Sequence, residues 1–352
     1  MNGASLANGY TIIADYGSGL FFDCGYPSLS HFAGRFRFSR HSLHELFTRA
    51  GLTAPQVLIP SHYHDDHIAG APLLQREFGV EVWAHEVFAD ILRWPFAYNL
   101  PCLLSEPLEV SRTLNDGERF RWNDYSFEIA HTPGHTHYAS SILMEVDGLR
   151  AVVTGDTLHR GALGPLLGGP VYRNRFELDA FARSLEIIRE WNPDLLLTGH
   201  SGAIQLEPAW LDRALRRAKE LSDVLTALVV VPEEAGFALD PHWVRITPYQ
   251  GSVQPGMTLE VQVHVTNHAS APAVAKVRLV APTGWEIVPA VVEMPIDSRQ
   301  EGSAAFSLTA PATCSVDARH IVCADVQLHV DGEVRRYGPV AEAIVAIRGA
   351  AA

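Results

Sequence analysis

The chain has 352 residues, 47% of them hydrophobic and only 19% charged, with a formal net charge of −13. This is a globular composition, and the length asks for two domains rather than one core. The acidic balance, with Lys219 and Lys276 as the only lysines, argues against a nucleic-acid backbone as substrate, because phosphate binding needs a basic track.

Apolar runs at 10–14 and 20–24 flank the turn Asp15-Tyr16-Gly17-Ser18-Gly19 and predict a hairpin. Met1–Gly9 before it carries neither a basic nor an apolar leader segment, and no run in the chain reaches the length of a membrane span. A cytoplasmic protein without membrane contact is expected. Asp23 either orients a ligand from behind or caps a turn. Residues 26–40 are aromatic and basic and read as a loop near a site mouth. Ser42-Leu43-His44-Glu45 has the capping-box form, which predicts a helix over 42–50.

Val57-Leu58-Ile59-Pro60 then reads as a buried strand, and it delivers His62-Tyr63-His64-Asp65-Asp66-His67. Metal-capable side chains packed this densely at a strand exit are costly for an ordinary loop, since each needs a partner when even partly buried. A metal ion supplies such partners. His62 and His64 alternate around Tyr63 and share a direction in extended chain, whereas Asp66 and His67 follow the turn and can serve a second ion. Asp65 reads as solvent-facing or as a structural hydrogen-bonding group.

A helix with Leu73, Leu74 and Phe78, a short strand at 80–83 and a helix at 85–92 come next. Phe96, Tyr98 and Leu100 lie in a loop between Pro95 and Pro101. Asp147-Gly148 marks a hairpin. Residues 160–170 are rich in Gly and Pro and read as a flexible loop. A helix is predicted over 176–191, a strand over 195–197, and another helix opening at Pro208. Strand and helix thus alternate, with metal-type residues at strand exits, where α/β folds gather ligands. The character changes near Pro232. From 243 onward apolar and polar residues alternate, as in Leu259, Val261, Val263 and Val265, which predicts a β-sandwich. The expected division is 1–230, a linker at 231–242, and 243–352. Cys24 and Cys102 read as free thiols, while Cys314 and Cys323 are close enough in sequence to pair.

The ordered set His62-Tyr63-His64-Asp65-Asp66-His67, Gly134-His135-Thr136, Gly155-Asp156-Thr157 and Gly199-His200-Ser201, with Asp23-Cys24-Gly25 before it, resembles the signature of the metallo-β-lactamase superfamily of metallohydrolases. The resemblance covers roughly the first two thirds of the chain. It implies an α/β fold, a four-layer αββα sandwich with metals at one edge. His62, His64 and His135 would hold one ion, Asp66, His67 and His200 a second, and Asp156 would bridge. The implied cofactor is two Zn(2+) per chain, with Fe or Mn as alternatives, and a hydroxide between the ions would attack a small ester, thioester, lactone or amide. Asp66 is also the expected catalytic residue, orienting that hydroxide or carrying a proton. His137, His159 and Tyr172 are candidates for substrate contact, and His131 is a further histidine near the set.

The last third resembles bacterial immunoglobulin-like accessory domains. A homo-oligomer or partner contact through it is possible, and Trp243 and Tyr249 are candidates for an aromatic platform. Two other functions compete: an iron persulfide dioxygenase, which uses similar ligands, and a binding protein that has lost catalysis. Glyoxalase-type thioesterases end in a helical domain that grips glutathione, and this chain has one helix and then a β-domain. True β-lactamases are normally exported.

Overall fold

The computed structural model describes residues 7–26, 38–171, 173–228 and 235–349. The chain divides into two compact units, one of Met1–Pro95 with Pro101–Leu228, the other of Phe96–Leu100 with Val229–Ala352.

The first unit is built on two sheets. β1 (Tyr10–Ile13) and β2 (Ser18–Phe22) form the expected antiparallel hairpin. α1 (Phe38–Arg49) starts upstream of the capping box, because no Pro or Gly interrupts Phe38–His41; Glu45 instead pairs with Arg49 at 2.7 Å, one turn on. β3 (Ala54–Ile59) runs parallel to β2. After it come the short α2 (Asp65–Ile68), α3 (Ala71–Phe78), β4 (Glu81–His85), α4 (Glu86–Arg93) and β5 (Arg112–Leu114). The sheet order is β1-β2-β3-β4-β5, and α3 and α4 pack on β3 and β4.

The second sheet takes β6 (Arg119–Trp122), β7 (Tyr125–His131), β8 (Ser140–Val146) and β9 (Leu149–Gly155). β10 (Leu158–Gly161) and β11 (Gly164–Leu167) pair with each other, so most of the stretch expected as a flexible loop is a hairpin. Leu158 and Leu167 face each other across it and turn to the core, and the glycines serve the tight turn. α5 (Ala180–Glu190) begins later than expected, since Glu177 is engaged by Arg175 and Arg183. β12 (Leu195–Thr198), β13 (Gly202–Gln205) and α6 (Trp210–Leu228) complete the unit. The order β13-β12-β9-β8-β7-β6 places β12 parallel to β9.

Strand alternation sorts the side chains into layers. Leu20, Phe22, Val57 and Ile59 of the first sheet meet Phe127, Ile129, Ile142 and Val153 of the second in one core. Val152 and Leu196, on the opposite face, pack against Phe181, Leu185 and Ile188 of α5 and Leu215 of α6. Helix, sheet, sheet and helix are the four layers expected.

Among its described residues the second unit is β-rich, with α7 (Ala235–Leu239), which falls inside the stretch expected as a linker, and the end of a short 3-10 turn at Pro95–Ala97. β14 (Val244–Thr247), β15 (Gln250–Val253), β16 (Thr258–Thr266), β17 (Ala273–Val280), β18 (Glu286–Val288), β19 (Val292–Ile296), β20 (Glu301–Thr309), β21 (Arg319–Val330) and β22 (Glu333–Ile347) form two sheets. Their orders are β14-β16-β20-β18 and β15-β22-β21-β17-β19. Val261, Val263 and Val265 share a core with Val322, Ala324, Val326 and Leu328, as the alternation predicts. Trp243 is no platform: it is buried against Phe237 and Tyr337. Cys314 and Cys323 are both free, as are Cys24 and Cys102.

Candidate metal centre

The site forms where strands of both sheets end. β3 runs through Pro60 into His62, which makes an isolated antiparallel bridge with Ala139, and Ser140 N–H donates to Ser61 O at 2.8 Å. The two sheets are therefore tied together at the site edge. α2 then turns the chain so that Asp66 and His67 follow His64 around the same space. His135 sits beyond β7, Asp156 at the exit of β9 and His200 at the exit of β12. Among the described residues, three groups can hold a metal ion: His62, His64 and His135; His62, His67 and Asp156; and Asp66, His67 and His200. The structure thus brings all seven expected ligands together.

The ring nitrogens are aimed by their outer partners. Ser61 Oγ–H donates to Asp23 Oδ2 at 2.9 Å, so its oxygen is left to accept from His62 Nδ1, 3.0 Å away. That tautomer turns the lone pair of His62 Nε2 inward. Asp23 Oδ2 also lies 2.8 Å from His67 Nδ1, which leaves His67 Nε2 facing Asp156 Oδ1 at 3.3 Å. His135 Nδ1–H donates to Gly169 O at 2.7 Å, and its Nε2 points inward. His64 Nδ1 lies 2.9 Å from His62 Nε2 and 3.2 Å from His135 Nε2. One proton cannot satisfy that triangle, and lone pairs converging at this distance call for a cation.

Electrostatics agree with this reading. Burial, with neighbouring imidazoles, pushes His62 well below its usual range and His64 down to about 3; burial also lowers His135. Neutral imidazoles are what a metal requires. Burial alone would raise the Asp156 carboxyl, but the hydrogen bond from His200 and the adjoining His67 imidazole hold it far below the carboxylate range. It faces members of both outer groups: Oδ1 lies toward His67 and Oδ2 3.1 Å from His200 of one, and Oδ2 also lies 3.5 Å from His135 of the other. Asp156 Oδ1 and the nitrogens His64 Nε2 and His67 Nε2 are buried without a hydrogen-bond partner. A donor set of imidazole nitrogens and carboxylates with such orphaned atoms fits divalent metal ions of the zinc kind. Hydrogen bonds to Asp156 and then Asp66 push His200 up to about 9, so in the metal-free protein a proton occupies the place a cation would take.

Backbone glycines make the crowding possible. A Cβ on Gly199 would lie 2.0 Å from Asp156 Oδ1 and 2.7 Å from His67 Cε1. Gly155 has φ +47°, a conformation that favours glycine, and a Cβ there would meet Ser61 Oγ at 2.5 Å.

The other candidates are placed differently. His159 stands on β10 with its ring 5.6 Å from that of His200. His137 faces Glu177 at 3.3 Å, and His131 Nε2–H donates to His137 O at 2.6 Å, which ties these two histidines to each other and to Glu177. Asp65 accepts from Tyr26 O–H at 2.7 Å. Tyr172 and most of the aromatic and basic stretch at 27–37 lie outside the described residues. Sequence reasoning missed Ser61, Gly169 O and Asn174. The last is buried and accepts from Thr136 Oγ1–H at 2.7 Å while its amide donates to Tyr63 OH at 3.1 Å, joining the first histidine run to the His135 loop. Ser61, directly before His62, carried a positional hint; Asn174 carried none.

A two-sheet sandwich with imidazoles and carboxylates gathered at one edge is a metalloprotein scaffold. The sequence profile of the Lactamase_B family, described as the metallo-beta-lactamase superfamily, matches residues 22–200. The chain belongs to that superfamily. It is 30% identical over 115 residues to the hydroxyacylglutathione hydrolase GloC of Haemophilus influenzae, covering 31% of this chain and 52% of the relative. It is likewise 30% identical over 142 residues to an uncharacterized protein of Mycobacterium tuberculosis, covering 36% and 62%. The chain thus spans about half the length of the first of these relatives. Among solved structures, a motif mutant of a metallo-beta-lactamase from Cronobacter sakazakii aligns with a TM-score of 0.49 at 16% identity, over 64% of this chain and 92% of that one. No helix among the described residues is long and apolar enough to cross a membrane.

Proposed function

We propose that the first unit is a two-metal hydrolase, with zinc as its metal, that cleaves a small ester, thioester, lactone or amide. The observation that carries this reading is the Asp156 carboxylate, which lies between the two groups and faces His135 of the first and His67 and His200 of the second. The relatives named hydroxyacylglutathione hydrolases favour thioesters among these substrates. Their likeness covers only part of each chain, so the leaving group is left open.

His62, His64 and His135 would hold one ion, Asp66, His67 and His200 the other, and Asp156 both. The ions would supply Lewis acidity for the scissile carbonyl and a water acidic enough to act as nucleophile near neutral pH. The chain's own residues do the rest. Asp23, Ser61 and Gly169 O fix the histidine tautomers before substrate arrives, so no reorganisation is needed during reaction. Asp66 and Asp156 divide the carboxylate work by exposure: the Asp156 side chain is 7% exposed and the Asp66 side chain 31%. Asp66 is therefore the carboxylate that reaches the open side, where it orients the attacking water and passes a proton to the leaving group. No Ser or Cys nucleophile is required. The second unit is read as an immunoglobulin-like accessory module for contact with a partner or a second copy.

The test is elemental analysis of protein purified without added metal or chelator, followed by an ester, lactone and thioester screen. About two zinc per chain, with Asp66→Asn losing about a hundredfold or more in turnover at unchanged near-UV circular dichroism, supports the reading. About one iron per chain with oxygen uptake on a persulfide substrate replaces it with a dioxygenase. Normal turnover by Asp66→Asn refutes the catalytic role.

A further inference from the structure

Five histidines surround the centre, and three of them have a defined partner on the outer nitrogen. His62 has the Ser61 hydroxyl, His67 has Asp23 and His135 has Gly169 O. His64 and His200 do not: His64 Nε2 is buried without a hydrogen-bond partner, and so is His200 Nδ1, whose ring turns its Nε2 to Asp156 and Asp66. A ligating imidazole almost always donates its outer N–H, because that bond selects the tautomer and fixes the ring plane. His159 Nδ1 is another buried nitrogen without a partner, and its ring centroid lies 5.6 Å from that of His200, tilted by 51°.

His159 is not a loose neighbour. Pairing of β10 with β11 puts Leu158 into the core and turns His159 to the opposite face of the hairpin. Three bonds pin the hairpin from outside. Arg160 N–H donates to the hydroxyl of Ser201 at 3.0 Å, the residue after His200, and the Arg217 guanidinium donates to Pro165 O and, at 3.2 Å, to Leu163 O. The ring of His159 is thus held beside His200 by the same short element that leaves Asp156. His159 also falls outside all three metal-holding groups.

We infer that His159 is the positioning residue of His200: its Nδ1 lone pair receives the outer Nδ1–H of His200, across one water molecule or directly after a small ring rotation, and so aims Nε2 at the second ion. A shared water would satisfy both buried nitrogens at once. This rests on the two-metal reading and deepens it, giving the second ion an orienting partner on a different strand from the Asp23 network.

The test is zinc titration of the full chain against a chromophoric chelator, with wild type, His159→Ala and His159→Gln. Wild type should take two ions. His159→Ala should hold the first with unchanged affinity and the second 10- to 100-fold more weakly. His159→Gln, whose amide oxygen can accept the same hydrogen, should recover to within about threefold. Nitrogen-detected NMR of labelled histidine adds a readout of the tautomer: the His200 Nδ1–H should be protected from solvent exchange in loaded wild type and exposed in His159→Ala. A second ion bound equally tightly by His159→Ala overturns the inference while leaving the two-metal reading intact, and so does equal loss in His159→Ala and His159→Gln. A wild-type chain that binds fewer than two ions brings down both.

Discussion

Asp23→Asn changes one oxygen for an NH2 group at nearly constant volume, in a side chain that is 2% exposed. Asp23 Oδ1 accepts from Ser61 N–H, and an amide oxygen can keep that bond. At the other position Ser61 Oγ–H and His67 Nδ1–H both point at Oδ2 and would now meet a donor. Bonds to a charged acceptor are worth roughly 1.5–3 kcal/mol each, so the metal-free fold should lose about 3 kcal/mol after relaxation. The larger effect is on the tautomer. Facing an NH2 group, His67 is stabilised with its proton moved to Nε2, the nitrogen that belongs to the second ion. The second ion should then bind 10- to 100-fold more weakly, which is about 1.4–2.7 kcal/mol. Because Ser61 also sets His62, the first ion should weaken by a smaller factor. Competition between the protein and a chromophoric chelator resolves the two steps, with near-UV circular dichroism as the control for folding. Two ions bound with wild-type affinity would refute the claim that Asp23 sets the tautomer.

Gly199→Ala should lose the second ion and lower the melting temperature, because its Cβ would enter the space of Asp156 Oδ1, an overpacking cost of about 1–3 kcal/mol; elemental analysis beside a thermal melt checks it. His200 and His67 both have raised folded-state values, His200 to about 9, so their stabilisation of metal-free protein is full below about 6.5 and is lost as pH rises through about 9. Chelated protein should therefore melt at lower temperature at pH 9 than at pH 6.5, whereas zinc affinity should climb over the same interval as the competing protons leave; a melt series and a zinc titration read the two slopes. A chain ending at Leu228 keeps every ligand and every outer partner named above, and its zinc stoichiometry should equal that of the full chain.

What the sequence disclosed follows from how far each signal reaches. Ligands at strand exits were legible because each sits in a short motif next to an apolar run, as with Val57–Ile59 before His62. The β-strands of the second unit were legible because alternation is a local property of the chain, as at Leu259–Val265. The hairpin of β10 and β11 was not, because Gly161, Gly164 and Pro165 look like loop residues until Leu158 and Leu167 are seen to share the core. Asn174 was invisible for a different reason: its two partners, Tyr63 and Thr136, come from distant parts of the chain, and no spacing announces them. Trp243 misled because an aromatic residue in a β-domain reads equally well as a platform or as core, and only contact with Phe237 and Tyr337 decides.

The distribution of ligands over both sheets sets a timetable for synthesis. His62, His64 and His135 have all been made once the chain has reached β7 and the turn after it, but the second group waits for His200, about 65 residues later. At roughly 5–20 residues per second that interval is about 3–13 s. A nascent chain therefore owns four nitrogen ligands, His62, His64, His67 and His135, and the Asp66 carboxylate well before it owns the strand that closes the other side. During that interval its selectivity among cellular metals would be that of an imidazole-rich trap with one carboxylate, Asp66, and the carboxylate of Asp156 arrives partway through. On the two-metal reading, the ion that enters first is chosen under different rules from the ion that enters last.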